Sequence, residues 1–580
     1  MKKLVLATLA VFAFSSLAQS ENSVREDRDP EADTGKTAKQ AFESNEYMVV
    51  AANPYASWAG KKILEKGGSA IDAAVAIQAM LTLVEPQSSG IGGGAFILYW
   101  DNENKKLHTF DGRETAPQKA TPYIFIEDGN PMRWIDAVVG GKAVGVPGVL
   151  KALEMAHKEF GKLKWRDLFE DAISTSRQGF TVSPRLEMLI KLDVHPGLNN
   201  FVNSQNYFKP NGVPLKQGSI QKNEVLANTL LKIAHHGTEY FYKGELAEKM
   251  AEAARTTIIN PGFMTAEDLA RYEAKKRPPI CGNYRSKKIC GMAPPSSGGI
   301  SVYQILKMLE QYELKKYGPS SKEFIHLFSQ SSALAFADRN QYVADTDFTN
   351  LPAVSLINSA YLSQRAERVG LDKPFTKAEP GKPYMNVMVG NDQTSELPST
   401  SHFSIVDKDG NAISMTTSIE FMFGSGVMVE GFLLNNQLTD FSLSPSKNGY
   451  PALNRVEPNK RPRSSMSPTM MFNEKGDLEL IIGSPGGSRI IDYVAQTIIN
   501  VVDFDMDIQE AINAPRTTNR NDYTALEKGT ALPNLQVELE MQGHDVRVLD
   551  LNSGLHGIQL IDGKLIGGAD PRREGIAVGR

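Results

Sequence analysis

The chain has 580 residues, of which 41% are hydrophobic and 22% are charged, values typical of a globular protein with room for several domains. Its 63 basic and 67 acidic residues leave a formal net charge of -4. This near balance argues against nucleic-acid binding and against electrostatic docking on a membrane surface.

The N-terminus carries an export signal. Two lysines near the start precede a short apolar stretch, Leu4 to Phe14, and a small-residue cleavage site that ends at Ala18. We therefore predict a bacterial signal peptide over residues 1–18, followed by a polar leader over 19–45. The apolar stretch is too short to anchor the chain in a bilayer, so the expected location is the periplasm or the medium.

Residue patterns then predict the secondary structure in chain order. The expected elements are a strand at 47–52, helices at 56–65 and 70–83, a strand at 96–100, and helices at 149–157, 224–235 and 300–312. Ser69 is expected to cap the second helix, with Asp72 at its third position. After residue 400 the pattern changes to strands and tight turns, with helices near 490–501 and 508–512. This mixture predicts an α/β or α+β fold with layered packing.

The two cysteines, Cys281 and Cys290, flank eight residues that read as a tight hairpin. An exported protein meets an oxidising environment, which favours a disulfide between them over two free thiols. Their spacing does not fit a zinc site, and no histidine motif suggests another metal. The glycine-rich run 90–94 lacks the last spaced glycine of a dinucleotide loop. We expect neither a metal nor a cofactor.

Thr400 stands at the head of a predicted hairpin. Apolar-rich runs at 403–406 and 412–419 flank a turn centred on Asp409-Gly410, which places Thr400 opposite Ser418 or Ile419. A threonine hydroxyl within a chain is a poor nucleophile. Cleavage of the bond before it would expose an α-amine of pKa about 7.7, and one residue would then supply both nucleophile and base. An ordinary surface hairpin is the alternative for this segment taken alone.

Five further segments occur in a fixed order around Thr400. They are Glu85 to Gly94, Asp111 to Pro117, Leu433 to Ser442, Pro458 to Pro468 and Gly483 to Arg489. Together with the Thr400 segment they resemble the γ-glutamyltransferase family of N-terminal nucleophile hydrolases, from about residue 46 to the C-terminus. The resemblance implies a four-layer αββα sandwich. It also implies self-cleavage between Ser399 and Thr400, giving a heterodimer of a large subunit, 46–399, and a small subunit, 400–580.

The resemblance also assigns roles within the reaction. Thr400 is the implied nucleophile, and Ser418 occupies a position where the family motif has a threonine. Gly486 and Gly487 are the implied oxyanion hole, because glycine lets two backbone N–H groups approach a reacting carbonyl. A plain β-turn is the alternative for these two glycines.

The same resemblance implies a site for both charges of a γ-glutamyl group. Arg113, with the hydroxyls of Ser464 and Ser465, would bind the α-carboxylate. Asp440 and Gln437 would hold the α-ammonium, together with Glu420, which stands where many members carry asparagine.

The implied activity is cleavage of glutathione or other γ-glutamyl amides, with transfer of the acyl group to water or an amino acid. Two departures from the family pattern bear on selectivity: Phe421-Met422 replaces small polar residues, and the lid segment 442–458 is short. They keep open an acylase for glutaryl or cephalosporin-type amides, or for poly-γ-glutamate. An inactive secreted scaffold is the alternative outside the enzymes.

Overall fold

The computed structural model describes residues 35–384, 388–392 and 399–580. The predicted signal peptide and part of the polar leader lie outside these ranges. The strands are, in chain order, β1 (Phe42–Ser44), β2 (Met48–Ala51), β3 (Gly94–Asp101), β4 (Lys106–Asp111), β5 (Ile126–Glu127), β6 (Asn130–Pro131), β7 (Phe180–Thr181), β8 (Ile220–Gln221), β9 (Ile280–Tyr284), β10 (Lys287–Gly291), β11 (Ser401–Val406), β12 (Ala412–Ser418), β13 (Met428–Val429), β14 (Phe432–Leu433), β15 (Ser446–Lys447), β16 (Tyr450–Pro451), β17 (Thr469–Phe472), β18 (Leu478–Gly483), β19 (Thr517–Asn519), β20 (Thr524–Glu527), β21 (Val546–Leu549), β22 (His556–Ile561), β23 (Lys564–Ala569) and β24 (Ile576–Gly579).

The helices are α1 (Pro54–Glu65), α2 (Ala70–Val84), α3 (Trp134–Ala137), α4 (Val149–Phe160), α5 (Glu170–Gln178), α6 (Pro184–Lys191), α7 (Gly197–Asn200), α8 (Val202–Phe208), α9 (Glu224–His236), α10 (Glu239–Tyr242), α11 (Glu245–Arg255), α12 (Ala266–Arg271), α13 (Gly298–Leu309), α14 (Lys322–Tyr342), α15 (Ser359–Ala366), α16 (Ile490–Asp503), α17 (Ile508–Asn513) and α18 (Gln536–Gln542). Among the described residues, none of these helices combines the length and apolar character needed to cross a bilayer.

Two sheets form the centre of the fold. The six-stranded sheet has the order β24-β2-β11-β12-β3-β4, and its neighbouring strands are antiparallel. The seven-stranded sheet has the order β1-β23-β22-β18-β17-β10-β9. Both sheets contain strands from before and from after residue 400. The two parts of the chain therefore share one pair of sheets rather than forming separate domains.

The six-stranded sheet is buried on both faces, and its side chains divide between two cores by the period of two that a strand imposes. In β2, Val49 packs in the core that contains α1 and α2, whereas Met48 and Val50 pack in the core that contains the second sheet. In β3, Ile97 and Leu98 divide in the same way. A helical layer thus covers one face of this sheet and the other sheet covers its opposite face.

Most sequence-predicted elements are confirmed to within one to three residues. Ser69 caps α2, and Asp72 completes the predicted capping box. Helix α14 was not predicted as a separate element, although it is 21 residues long. It is buried along most of its length, and its polar residues fall on every side, so it shows no apolar stripe.

The predicted disulfide is present. Cys281 and Cys290 lie directly opposite each other on β9 and β10 and are bonded through sulfur. The disulfide therefore ties the edge hairpin of the seven-stranded sheet.

Candidate active site

The hairpin β11–β12 places Thr400 beside Ser418. Ser401 lies opposite Thr417, so the next pair outward is Thr400 and Ser418, one of the two predicted registers. The two hydroxyl oxygens are 3.2 Å apart. Asp407 fixes the turn by accepting from the backbone N–H groups of Asp409 and Asn411. The local turn chemistry therefore sets the position of the candidate nucleophile.

The carbonyl before Thr400 lies against both hydroxyls. The Ser399 carbonyl oxygen accepts a hydrogen bond from Ser418 Oγ at 3.0 Å and a short one from Thr400 Oγ1. The Ser399 hydroxyl donates to the Gln87 carbonyl at 2.7 Å, which fixes the residue on the other side of the bond. Thr400 is only 4% exposed. This geometry suits attack of Thr400 on its own preceding carbonyl, with Ser418 as a donor to the charge that develops on oxygen.

A cavity opens at this point and gathers most of the predicted site residues. Its lining consists of Ser399, Thr400, Ser418, Glu420, Gln437, Asp440, Ser464, Ser465, Met466, Gly487 and Ile490. Arg113 lies directly behind Asp440, and Gly486 precedes Gly487 in the chain. Five segments of the chain between Ser399 and Ile490 therefore line one small polar cavity, and Arg113 supports it through Asp440.

Arg113 and Asp440 form a buried ion pair at the base of this cavity. Arg113 Nη2 donates to Asp440 Oδ2 at 2.5 Å, and Arg113 is fully buried. The same guanidinium donates to the carbonyls of Pro462 at 3.2 Å and Arg463 at 2.7 Å, which lead into Ser464. A cation and an anion side by side complement an α-amino acid group, whose carboxylate and ammonium share one carbon.

Gln437 and Glu420 add acceptors on the Asp440 side. Gln437 Nε2 donates to Asp440 Oδ2 at 2.9 Å. Its Oε1 is buried and meets no hydrogen-bond donor among the described residues, so it is available to a ligand N–H group. Glu420 Oε2 accepts from Asn436 at 2.5 Å, and Glu420 itself has a φ of 78°, a left-handed conformation that glycine or asparagine adopts more readily.

Glu114, which the sequence analysis did not single out, lies beside the Arg113–Asp440 pair. Its Oε2 is 3.5 Å from Arg113 Nη1, and neither carboxyl oxygen has a hydrogen-bond partner in the part of the chain that the structure describes. Complete burial raises the pKa of Glu114 from its usual 4.5 to about 8, against the opposing effect of Arg113. Asp440 already pairs with Arg113, so burial favours the neutral form of Glu114. The only signal in the sequence was its place next to Arg113.

This buried acid predicts a pH dependence of stability. Because the folded-state pKa is raised, ionisation favours unfolding, and stability is lost as the pH rises from about 4.5 to about 8. Glu114→Gln removes this loss and nearly preserves shape. We expect the melting temperature of the variant, relative to the native protein, to be higher at pH 8 than at pH 5. The exposed Glu103→Gln is the matched control, and an equal difference at both pH values would contradict the assignment.

The glycine run 90–94 serves packing around these residues. A Cβ on Gly93 would lie 2.1 Å from the Ser418 carbonyl oxygen, and one on Gly94 would lie 2.3 Å from Glu114 Oε2. Any side chain there would displace Ser418 or Glu114. The run thus lets the loop before β3 approach the end of β12.

The predicted oxyanion turn reaches the same cavity as Thr400 through Gly487. Gly486 and Gly487 have φ values of 134° and 58°, which glycine adopts without strain. Helix α16 begins three residues after Gly487, at Ile490. The backbone N–H groups at the start of a helix favour negative charge, which suits a developing oxyanion.

The Phe421-Met422 pair, noted in the sequence, lies away from the cavity. Phe421 packs edge-on against Trp134, with ring centroids 4.9 Å apart, and also stacks near His195. Phe421 and Met422 are buried in the main core and do not line the cavity. The backbone turn at Glu420, with its positive φ, directs both side chains into the core.

The short lid segment 442–458 contains the hairpin β15–β16. Asn454 ties the segment to the site by donating to the Asp440 carbonyl at 2.7 Å. The Ser442 N–H donates to the Asn454 carbonyl at 2.8 Å. The two ends of the segment are thus held at the residue that pairs with Arg113.

A hydroxyl at the head of a central strand, beside its own preceding carbonyl and an anchored ion pair, defines an acyl-transferring or amide-cleaving enzyme. Residues 56–580 match the family model described as gamma-glutamyltranspeptidase. The glutathione hydrolase proenzyme of Escherichia coli (strain K12) is 38% identical over 540 residues, covering 90% of each chain. The corresponding proenzyme of Bacillus subtilis (strain 168) is 37% identical, covering 93% of this chain and 92% of its own. The chain belongs to the gamma-glutamyltranspeptidase family.

The fold is also similar to that of an acylase. The crystal structure of cephalosporin acylase from Bacillus halodurans superimposes with a TM-score of 0.83 at 27% identity, covering 95% of this chain and 99% of that chain. The comparison supports a mixed helix-and-sheet enzyme fold. Because an acylase shares this fold, substrate selectivity must be argued from the residues of the cavity.

Proposed function

We propose that this chain is a γ-glutamyltransferase and glutathione hydrolase that activates itself by cutting its Ser399–Thr400 bond. The observation that carries the proposal is the Arg113–Asp440 pair at the base of the cavity that Thr400 lines. A charge pair matches the amino-acid end of a γ-glutamyl donor, while Thr400 is placed for the amide end. The proposed enzyme is exported after removal of residues 1–18.

Maturation begins with Thr400 Oγ1 attacking the Ser399 carbonyl carbon. The C–N bond then breaks, the Thr400 nitrogen takes up the hydroxyl proton, and an ester joins the two residues. Water hydrolyses this ester to give the Ser399 carboxylate and a free Thr400 hydroxyl. The products, 19–399 (the polar leader with the large subunit 46–399) and 400–580, remain together as large and small subunits of a four-layer αββα sandwich, because both contribute strands to the same two sheets.

Turnover uses the same hydroxyl with its new amine as base. The amine takes the Thr400 proton as the oxygen attacks the γ-carbonyl of the donor, and the backbone N–H groups of Gly486 and Gly487 stabilise the oxyanion. The donor amine leaves with a proton, and a γ-glutamyl ester forms on Thr400. Water or an amino acid then attacks the ester and restores the enzyme. Ser418 orients the nucleophile throughout.

The donor is held by its two charges. Arg113, Ser464 and Ser465 bind the α-carboxylate. The α-ammonium carries three donors, which match Asp440, Glu420 and the Gln437 Oε1 atom. In a donor with a methylene group in place of the α-ammonium, these three acceptors have no N–H group to bind. Burying two carboxylates and an amide oxygen without a hydrogen-bond partner costs free energy.

Glutaryl amides distinguish this function from the acylase alternative, which the structural similarity to cephalosporin acylase supports. A glutaryl group keeps the carboxylate of the γ-glutamyl group and lacks only the ammonium. We expect kcat/KM for γ-glutamyl-p-nitroanilide to exceed that for glutaryl-p-nitroanilide by about a hundredfold or more, because the acceptors lose their partner. Steady-state release of p-nitroaniline measures both. Equal rates, or a preference for glutaryl, would favour the acylase.

A further inference from the structure

Arg339 donates a hydrogen bond to Ser465, one of the two serines proposed to bind the donor carboxylate. It lies near the end of α14, is 2% exposed, and packs over the Phe336 ring at 5.5 Å. Its Nη2 donates to Ser465 Oγ at 2.6 Å, and its Nε donates to Ser297 Oγ at 2.9 Å. The guanidinium therefore contacts two different segments through two of its nitrogens.

Ser297 connects Arg339 to the neighbouring serine of the pair. The Ser297 N–H and hydroxyl both donate to the Ser464 carbonyl oxygen, at 2.7 and 2.8 Å. Arg339 is thus linked to the backbone of Ser464 through Ser297 and to the side chain of Ser465 directly. A planar guanidinium fixes such directions better than a lysine ammonium does.

The direction of these hydrogen bonds determines whether the Ser464 and Ser465 hydroxyls can donate to a ligand. A guanidinium only donates, so Ser465 Oγ is the acceptor in its bond with Arg339. Ser464 Oγ accepts from the Met466 N–H at 3.2 Å. Each oxygen receives a donor from the protein, and both residues line the cavity. A hydroxyl whose oxygen accepts from a cation is a stronger donor through its own proton.

We propose that Arg339 is a positioning residue that makes the site selective for donors with an α-carboxylate, acting through the hydroxyl of Ser465. This inference rests on the proposed function and extends it to a residue that does not touch the substrate. Arg339 sets the rotamer and donor direction of Ser465, and Ser465 with Ser464 completes the carboxylate site that Arg113 begins.

The test compares two donors in steady-state assays of the mature enzyme. γ-Glutamyl-p-nitroanilide carries the carboxylate, whereas 4-aminobutyryl-p-nitroanilide keeps the amine and lacks the carboxylate. Arg339→Met should raise KM for the first donor about tenfold, the loss expected for one hydrogen bond to a charged group, with kcat within about twofold. The second donor should change by less than about twofold. An equal loss with both donors would overturn the role.

A double-mutant cycle separates action through Ser465 from direct action on the donor. In a Ser465→Ala background, Arg339→Met should raise KM by no more than about twofold. A further tenfold rise would mean that Arg339 acts without Ser465, and would overturn the proposal. Arg339→Gln keeps a neutral hydrogen-bond donor and should give an intermediate KM. If Arg339→Met does not mature, Arg339→Gln replaces it in the double-mutant cycle.

Ser297→Ala is the matched control, since it removes a different contact of the guanidinium, the one at Nε, and leaves the bond to Ser465. We expect it to change KM by less than about threefold, and a tenfold rise would assign the effect to loop packing. Activity of the wild-type enzyme distinguishes failure of the proposed function from failure of the proposed role of Arg339. If it does not cleave γ-glutamyl-p-nitroanilide, the proposed function itself fails, whereas an unselective Arg339 effect in an active enzyme overturns only this inference.

Discussion

Replacement of Thr400 by alanine is expected to leave the chain uncut and to reduce amidase activity by at least about 10⁴-fold. The same hydroxyl attacks the Ser399 carbonyl and later the donor carbonyl, and Ser418 at 3.2 Å lacks an α-amine to serve as its base. The mature native protein should migrate as two bands of about 42 and 20 kDa, by scaling the 63.6 kDa chain over 19–399 and 400–580. Gel electrophoresis and p-nitroaniline release measure the two losses.

The control for this prediction is Thr400→Ser, which keeps a hydroxyl and should retain part of both maturation and turnover. N-terminal sequencing of the small band of the native protein should begin Thr-Ser-His-Phe. Normal maturation of Thr400→Ala would place the cut elsewhere. A single uncut native band with full activity would remove the mechanism altogether.

The sequence was most informative where the physics is local. The Asp-Gly turn fixes the register of β11 against β12, and that register alone brings Thr400 to Ser418. The capping box of α2 and the cysteine hairpin were predicted for the same reason, since each depends on residues within about ten positions. Family resemblance supplied the partners that come from distant segments, such as Arg113 and Asp440.

Contacts between distant segments account for what the sequence did not reveal. Arg339 meets Ser465 across 126 positions, on a buried helix whose polar residues give no amphipathic pattern. The pKa of Glu114 is raised because the side chain is buried, and the residues next to it in the sequence do not reveal that burial. The position of Phe421 in the core has a related cause: a left-handed backbone at Glu420 turns the next side chain inward.

Arg113→Ala is expected to lower kcat/KM for γ-glutamyl-p-nitroanilide by about a hundredfold, the scale of a lost charge-assisted, two-pronged contact. 4-Aminobutyryl-p-nitroanilide, which has no carboxylate, should fall much less. Self-cleavage should proceed, because it involves Ser399 and Thr400 and no substrate carboxylate. Parallel assays of the two donors, with gel analysis of maturation, measure the three outcomes.

The burial of Arg113 requires a control for the charge that its removal leaves behind. Asp440 would lose its partner at 2.5 Å, and an uncompensated buried carboxylate can destabilise the site by about 3–5 kcal/mol. Arg113→Ala with Asp440→Asn removes that charge, so it should mature normally and melt close to the native protein while remaining defective on the γ-glutamyl donor. Arg113→Lys keeps the positive charge but lacks the planar guanidinium that makes two parallel hydrogen bonds. Its kcat/KM for γ-glutamyl-p-nitroanilide should lie between those of the native enzyme and Arg113→Ala. If both donors lose activity by the same factor in Arg113→Ala and in the double variant, Arg113 supports the structure only, and another residue must bind the carboxylate.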